Sequence, residues 1–316
     1  MKVYAKHEEI QEFLKEHLNG VEVVEEPSLC NYMITGRFTS NDYHRNLRGV
    51  IIPYTGHNGI DLDEMRDKNL KLFVTPTRSR YVAEKAMTLT LSLLGNTLNY
   101  HNQLKIGNWS ERNSDHRVPW VSLYGKSIGL FGFGRIGKIV HELFKPFGCD
   151  FYTIDRGKEY PIDVTAVKNV TNLVQMSDVV IVSAPLNNET EGIFSEQILC
   201  KMKHKFLINV GRGKIIDEEA LYNALKNNKL RGFASDVWYN YPKAKEVTLP
   251  STFPIYEFDN VILSNHSGSN CRHPWTLPPS QPHLTLIDMS EAALTPIFYF
   301  FKRAVMTEIH TCLRQT

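Results

Sequence analysis

The stretch Ser127-Ile128-Gly129-Leu130-Phe131-Gly132-Phe133-Gly134-Arg135-Ile136-Gly137 decides the fold. A β-type run enters a glycine-rich turn, and the turn opens a helix with Ile136, Ile139, Val140, Leu143 and Phe144 on one face. Strand, G-x-G-x-x-G and helix in that order form the context a dinucleotide pyrophosphate requires. Gly132 permits the tight turn, Gly134 lets main chain approach the phosphates, and Gly137 lets the helix pack closely on the strand. The phosphates then rest on free N–H groups at the positive end of the helix dipole. Glycine-rich turns are common, so the next strand carries the weight. Phe151-Tyr152-Thr153-Ile154 ends in Asp155, 18 residues beyond Gly137. A carboxylate there accepts hydrogen bonds from the adenosine ribose and repels a 2′-phosphate, which favours NAD over NADP. Arg156, able to accommodate a phosphate, works against that preference. Arg135, Ile136 and Pro185 join the three glycines and Asp155 in the expected cofactor-binding set.

Outward from this turn the chain alternates strands and helices, the pattern of an α/β fold with parallel sheets. Upstream strands are expected at Lys2–Ala5, Tyr32–Thr35, Val50–Pro53 and Leu72–Val74, with a helix over Glu8–Leu18. A long apolar helix is expected over Tyr81–Leu104, then a polar crossing from Asn108 to Pro119. Downstream strands are expected at Val179–Val182, Phe206–Asn209, Gly232–Ser235 and Val261–Leu263, with a helix over Glu218–Asn227 capped by Asp217. At 316 residues two domains are expected. With a net charge of +2 and no basic run, neither a nucleic-acid nor a membrane-surface partner is implied. Five scattered cysteines without CxxC spacing argue against a disulfide framework or a zinc site and for a reducing compartment, the cytoplasm by default. No signal-peptide pattern and no run long enough to span a bilayer stands out.

Hydride transfer to a 2-oxo acid needs a cation for the substrate carboxylate and an acid for the developing alkoxide. Arginine suits the first task through its planar fork, and histidine the second through a pKa near neutrality. Arg212 follows one expected strand in Asn209-Val210-Gly211-Arg212-Gly213, and His266 follows another in Leu263-Ser264-Asn265-His266-Ser267-Gly268. Ligands gather at the carboxyl ends of strands in open α/β sheets. Taken singly, either residue reads equally well as an ordinary surface side chain.

Together with Gly125-Lys126-Ser127-Ile128-Gly129, Ile216-Asp217, Ser235-Asp236-Val237, Val82-Ala83-Glu84 and Gly107-Asn108-Trp109, these motifs resemble the D-isomer-specific 2-hydroxyacid dehydrogenases over about Val50 to Gly268. The resemblance implies a Rossmann-type parallel-sheet cofactor domain and a discontinuous flavodoxin-like α/β substrate domain. The boundaries expected are 1–100 for the first part of the substrate domain, 101–269 for the cofactor domain and 270–316 for the return. It implies NAD as cofactor, a 2-hydroxy or 2-oxo acid as substrate, and a homodimer. Arg212 is then the substrate-binding and catalytic cation, His266 the general acid/base, and Asp236 a contact to the nicotinamide carboxamide. Thr55 and Gly56, in Tyr54-Thr55-Gly56-His57, match the loop that grips the substrate carboxylate.

Two departures stand out. The family's glutamate, five residues beyond the aspartate and next to a proline, is Tyr241 here, followed by Pro242. A carboxylate beside the histidine favours its protonated form, and a phenol supplies no such charge. Glu246 and Glu257 are candidate substitutes, and His57, Arg78, Arg80, Trp238 and Tyr239 are candidate pocket residues. From Cys271 onward, five of the fifteen prolines meet a single lysine, so 270–316 is expected to be an atypical, poorly ordered return that reads like another frame. These departures open a second reading, a NAD(H)-binding sensor or corepressor-like protein with little turnover, and a third, the inactive product of a damaged gene. Retention of both Arg212 and His266 argues against the sensor.

Overall fold

The computed structural model describes residues 1–6, 8–17, 20–52, 59–74, 78–109, 120–243 and 246–269. The chain divides into two compact units, the first covering residues up to Arg78 and the second starting at Ser79. In the first unit, β1 (Lys2–Ala5), β2 (Glu22–Val23), β3 (Tyr32–Ile34), β4 (Gly49–Ile52) and β5 (Lys71–Val74) form a parallel sheet ordered β2-β1-β3-β4-β5. That is the flavodoxin-like order. Helices α1 (Glu8–His17) and α2 (Leu62–Asp67) supply Leu14 and Met65 to separate cores. Ile51 joins the first core while its neighbours Val50 and Ile52 join the second, the alternation of a strand covered on both faces.

The second unit holds α3 (Ser79–Leu94), α4 (Thr97–Lys105), β6 (Ser127–Phe131), α5 (Arg135–Phe144), β7 (Asp150–Ile154), β8 (Val164–Val167), α6 (Val170–Met176), β9 (Val179–Val182), α7 (Glu196–Leu199), β10 (Phe206–Asn209), α8 (Glu218–Lys226), β11 (Gly232–Ser235) and β12 (Val261–Leu263). Its sheet is parallel throughout and ordered β12-β11-β10-β9-β6-β7-β8. Counted from β6, this is the 3-2-1-4-5-6 order of dinucleotide-binding folds with a seventh strand added. All four residues of β9 are buried, and they alternate between two cores. Val180 and Val182 meet the α6–α8 side, while Val179 and Ile181 meet α3 and α5.

The register brings the strand ends to one rim. Phe131 pairs with Val182, Val182 with Asn209, Asn209 with Ser235, and Ser235 with Leu263. Asp155, Pro185, Arg212, Asp236 and His266 each lie within three residues beyond a strand end on this rim.

The division after Arg78 puts α3 in the second unit, with Ala83, Ala86, Leu89 and Leu93 in its core. Two expectations change. The single helix expected over 81–104 is two, broken at Gly95 and at Asn96, which has a left-handed φ of 49°. Strands β2 and β8, both at sheet edges, were not anticipated. Thr55, Gly56 and His57 of the expected carboxylate loop, and residues 270–316, lie outside the described residues.

Candidate active site

At the first turn of the rim, the glycines meet different constraints. Gly132 has φ +106°, and a Cβ there would come within 2.7 Å of the Ala184 nitrogen. At Gly137 a Cβ would collide with the Gly132 carbonyl, so only glycine lets α5 sit this close to the end of β6. Beside Gly134 no described atom lies within 4 Å of a Cβ position, which leaves main chain open to a ligand at the N-terminus of α5. Arg135 is exposed there, and Ile136 is partly buried against the core.

Asp155 is exposed past β7, and its carboxylate accepts from the Gly157 N–H at 2.9 Å. Tyr160 closes the same loop, accepting from the Arg156 N–H (2.9 Å) and donating to the Ile154 carbonyl (3.1 Å). The Arg156 guanidinium reaches Glu189 at 3.3 Å. Pro185, also exposed, lies in a loop held by the Thr190 hydroxyl, which donates to the Pro185 carbonyl at 2.7 Å.

Arg212 stands on a turn braced by a buried amide. The Asn209 side chain accepts from the Gly211 N–H and donates to the Arg212 carbonyl, both at 3.0 Å. Gly213 lies so close to the Trp238 main chain that a Cβ would overlap the Trp238 carbonyl. The guanidinium donates to the Gly211 carbonyl at 2.7 Å and carries its charge towards His266.

Asp236 is buried, and its carboxylate takes three hydrogen bonds from the loop after β12. They come from the Ser264 hydroxyl (2.6 Å), the Ser267 N–H (3.1 Å) and the Gly268 N–H (2.8 Å). A Cβ at Gly268 would stand 2.6 Å from the Asp236 carboxylate, so glycine is required for this grip. The loop carries His266 in a left-handed conformation, φ 57°, uncommon for a residue with a side chain. Lys85 of α3 adds a cation, its ammonium 3.4 Å from the Ser267 hydroxyl. Partial burial lowers the His266 pKa from the ordinary 6.5; Asp236 opposes that shift and Arg212 adds to it.

Tyr241 lies against this histidine, the ring centroids 5.3 Å apart and inclined at 51°. Its hydroxyl accepts from the Trp238 N–H at 2.9 Å. Glu246 and Glu257 are exposed, and the charges acting on His266 are those of Asp236 and Arg212. Of the candidate pocket residues, Trp238 is buried and donates from its indole to the Ser264 carbonyl (2.7 Å), while Tyr239 donates to the Ile216 carbonyl (3.0 Å). Both brace the site from behind. Arg80 pairs with Glu84 at 2.8 Å. Among the described residues no cluster of His, Cys, Asp or Glu suits a metal ion, and no helix is long and apolar enough to cross a membrane.

The family model for the D-isomer-specific 2-hydroxyacid dehydrogenase NAD binding domain matches residues 87–268, more than half of the chain and the whole of this rim. The chain belongs to the D-isomer-specific 2-hydroxyacid dehydrogenases. It carries the NAD binding domain of that family, and the open main chain at Gly134 with Asp155 at the next strand end suits such a dinucleotide. A glyoxylate reductase of Thermococcus kodakarensis is 30% identical over 247 residues, 75% of this chain and 72% of the relative. A formate dehydrogenase of Neurospora crassa is 28% identical over 236 residues; the match spans 72% of this chain but only 62% of that enzyme's length. The crystal structure of the NAD-dependent formate dehydrogenase from Staphylococcus aureus in complex with NAD superimposes with a TM-score of 0.66 at 27% identity, covering 85% of this chain and 89% of that one. The resemblance to the family drawn from the motifs is thereby shown.

The sequence motifs had singled out Arg212, Asp236 and His266, and these lie together past β10, β11 and β12. Asn209, Ser264, Lys85 and Tyr160 had not been given roles. Asn209 alone had a signal, a polar residue ending an apolar strand just before a glycine turn.

Proposed function

We propose that this dehydrogenase transfers a hydride between NAD(H) and a small 2-hydroxy or 2-oxo acid. The observation carrying the reading is the juxtaposition of Arg212 and His266 on the rim that begins at the Gly132 turn. When bound, NADH supplies the hydride. Arg212 holds the substrate carboxylate and draws charge from the 2-oxo group as it becomes an alkoxide. His266 gives its proton to that oxygen, and in the oxidation direction takes the proton from the hydroxyl. Gly132, Gly134, Arg135, Ile136 and Gly137 receive the pyrophosphate, Asp155 the adenosine ribose, and Pro185 the adenine side of the cleft. Asp236 holds the His266 loop and faces the nicotinamide end; Thr55 and Gly56, by the resemblance to the family's loop, bind the substrate carboxylate. Residues 1–100, 101–269 and 270–316 were the domain limits expected from sequence; we propose the same roles, with the first limit moved to residue 78.

The carboxylate at Asp155, together with Arg156 being engaged by Glu189, supports NAD over NADP. The first substrates to test are the smallest 2-oxo acids, glyoxylate foremost, given the similarity to glyoxylate reductases; formate belongs in the panel for the same reason. A homodimer is supported by large apolar side chains exposed at and after the end of α4, with Ile106 78% exposed, Trp109 62% and Trp120 65%. Three described cysteines, Cys30, Cys149 and Cys200, are free thiols, which fits a reducing, cytoplasmic setting. The test is consumption of NADH with a panel of 2-oxo acids. Turnover that falls about a hundredfold or more in Arg212→Ala supports the reading. No turnover with any acid, beside tight NADH binding, favours the sensor.

A further inference from the structure

The strongest unassigned contact in the site is that of Tyr241. Its hydroxyl accepts from the Trp238 N–H, and its ring meets the imidazole, with the centroids 5.3 Å apart. Trp238 is fixed in turn by its indole bond to the Ser264 carbonyl, two residues before His266 in the same loop. The hydroxyl end of the ring is therefore tied to Trp238, which is itself tied to the His266 loop. The Asp236 carboxylate receives its three described hydrogen bonds from Ser264, Ser267 and Gly268, none of them from the imidazole. We propose that Tyr241 is a positioning residue for His266: its anchored ring walls the imidazole, which is oriented by packing rather than by a paired carboxylate. This inference rests on the reading of His266 as the acid/base group and deepens it.

The consequence is a direction of proton flow. The groups acting on His266 are Asp236 beyond β11, Arg212 beyond β10 and the uncharged ring of Tyr241, while Lys85 of α3 reaches the neighbouring Ser267. Burial lowers the imidazole pKa from 6.5, Asp236 opposes that shift and Arg212 adds to it. An uncharged imidazole accepts a proton, as oxidation of the 2-hydroxy acid requires. Reduction requires the imidazolium, so it fades as pH rises through a midpoint below 6.5.

The test follows the His266 ring by NMR in histidine-labelled protein, assigned with His266→Gln, beside pH profiles in both directions. Tyr241→Glu raises the His266 midpoint by about one pH unit and carries the reduction profile upward with it. Tyr241→Ala exposes more of the imidazole to water, moves the midpoint towards 6.5 and lowers kcat severalfold. Tyr241→Phe keeps the wild-type midpoint and rescues most of the kcat lost in Tyr241→Ala. A midpoint unmoved in both Tyr241→Ala and Tyr241→Glu overturns the proposal, as does a Tyr241→Phe midpoint matching that of Tyr241→Ala. If the midpoints move as stated but no variant turns over, the positioning role stands and the dehydrogenase reading fails.

Discussion

Gly213 sits where the Arg212 turn crosses the Trp238 main chain, and a methyl group there has no space. Gly213→Ala should cost about 1–3 kcal/mol, seen as a lower urea midpoint, and should also reduce kcat/KM by displacing Arg212. A variant as stable and active as the parent would show that the turn can yield. On the cofactor side, Glu189→Gln frees Arg156 to meet a 2′-phosphate. The expected result is a severalfold tighter Kd for NADPH with NADH little changed, read by fluorescence titration. Asp155→Ala should instead weaken NADH. Equal responses to both nucleotides in Glu189→Gln would remove Glu189 from the discrimination. Arg212, Asp236 and His266 were legible in the sequence because each follows a strand end within a short motif. Their supports were not. The Asp236 bonds to Ser264, Ser267 and Gly268 join residues 28, 31 and 32 positions apart, and no local pattern encodes such pairings. Nor does the identity of Tyr241 reveal that its hydroxyl turns to Trp238 rather than to His266.

Lys205, at the start of β10, shows how one side chain can finish an element. Its ammonium donates to the carbonyls of Val174, Gln175 and Ser177 at 2.7, 2.8 and 2.7 Å, closing the C-terminal end of α6. Lys205→Met should lower stability by about 1–3 kcal/mol and loosen α6, seen as faster amide exchange in that helix before any other. Unchanged exchange there would mean that water serves those carbonyls equally well. At this scale the buried strands β6, β9, β10 and β11 were plain from apolar runs, because helices cover both faces of their sheet. Two of the four edge strands were not: β2 has two residues, and β8 exposes Thr165 and Ala166. The α3–α4 break was written in Gly95-Asn96, but unbroken apolar periodicity on either side hid it.

For the molecule as a whole, the exposed Ile106, Trp109 and Trp120 side chains argue for self-association. Sedimentation velocity should give a dimer, and Ile106→Glu combined with Trp109→Glu should give a monomer that still binds NADH. A wild-type monomer would refute this interface. The claim on which everything else depends is that a hydride passes between the nicotinamide ring and the carbon beside a carboxylate. It is tested most directly with NADH deuterated at the transferring position of the nicotinamide. The wild-type protein, its Arg212→Ala variant and its His266→Gln variant are each incubated with glyoxylate and the other 2-oxo acids, and the products are read by mass spectrometry. Deuterium on C2 of a 2-hydroxy acid, made by the wild type and lost in both variants, is the predicted result. Tight NADH binding with no deuterium in any acid, over a pH range reaching below the His266 midpoint, would contradict it.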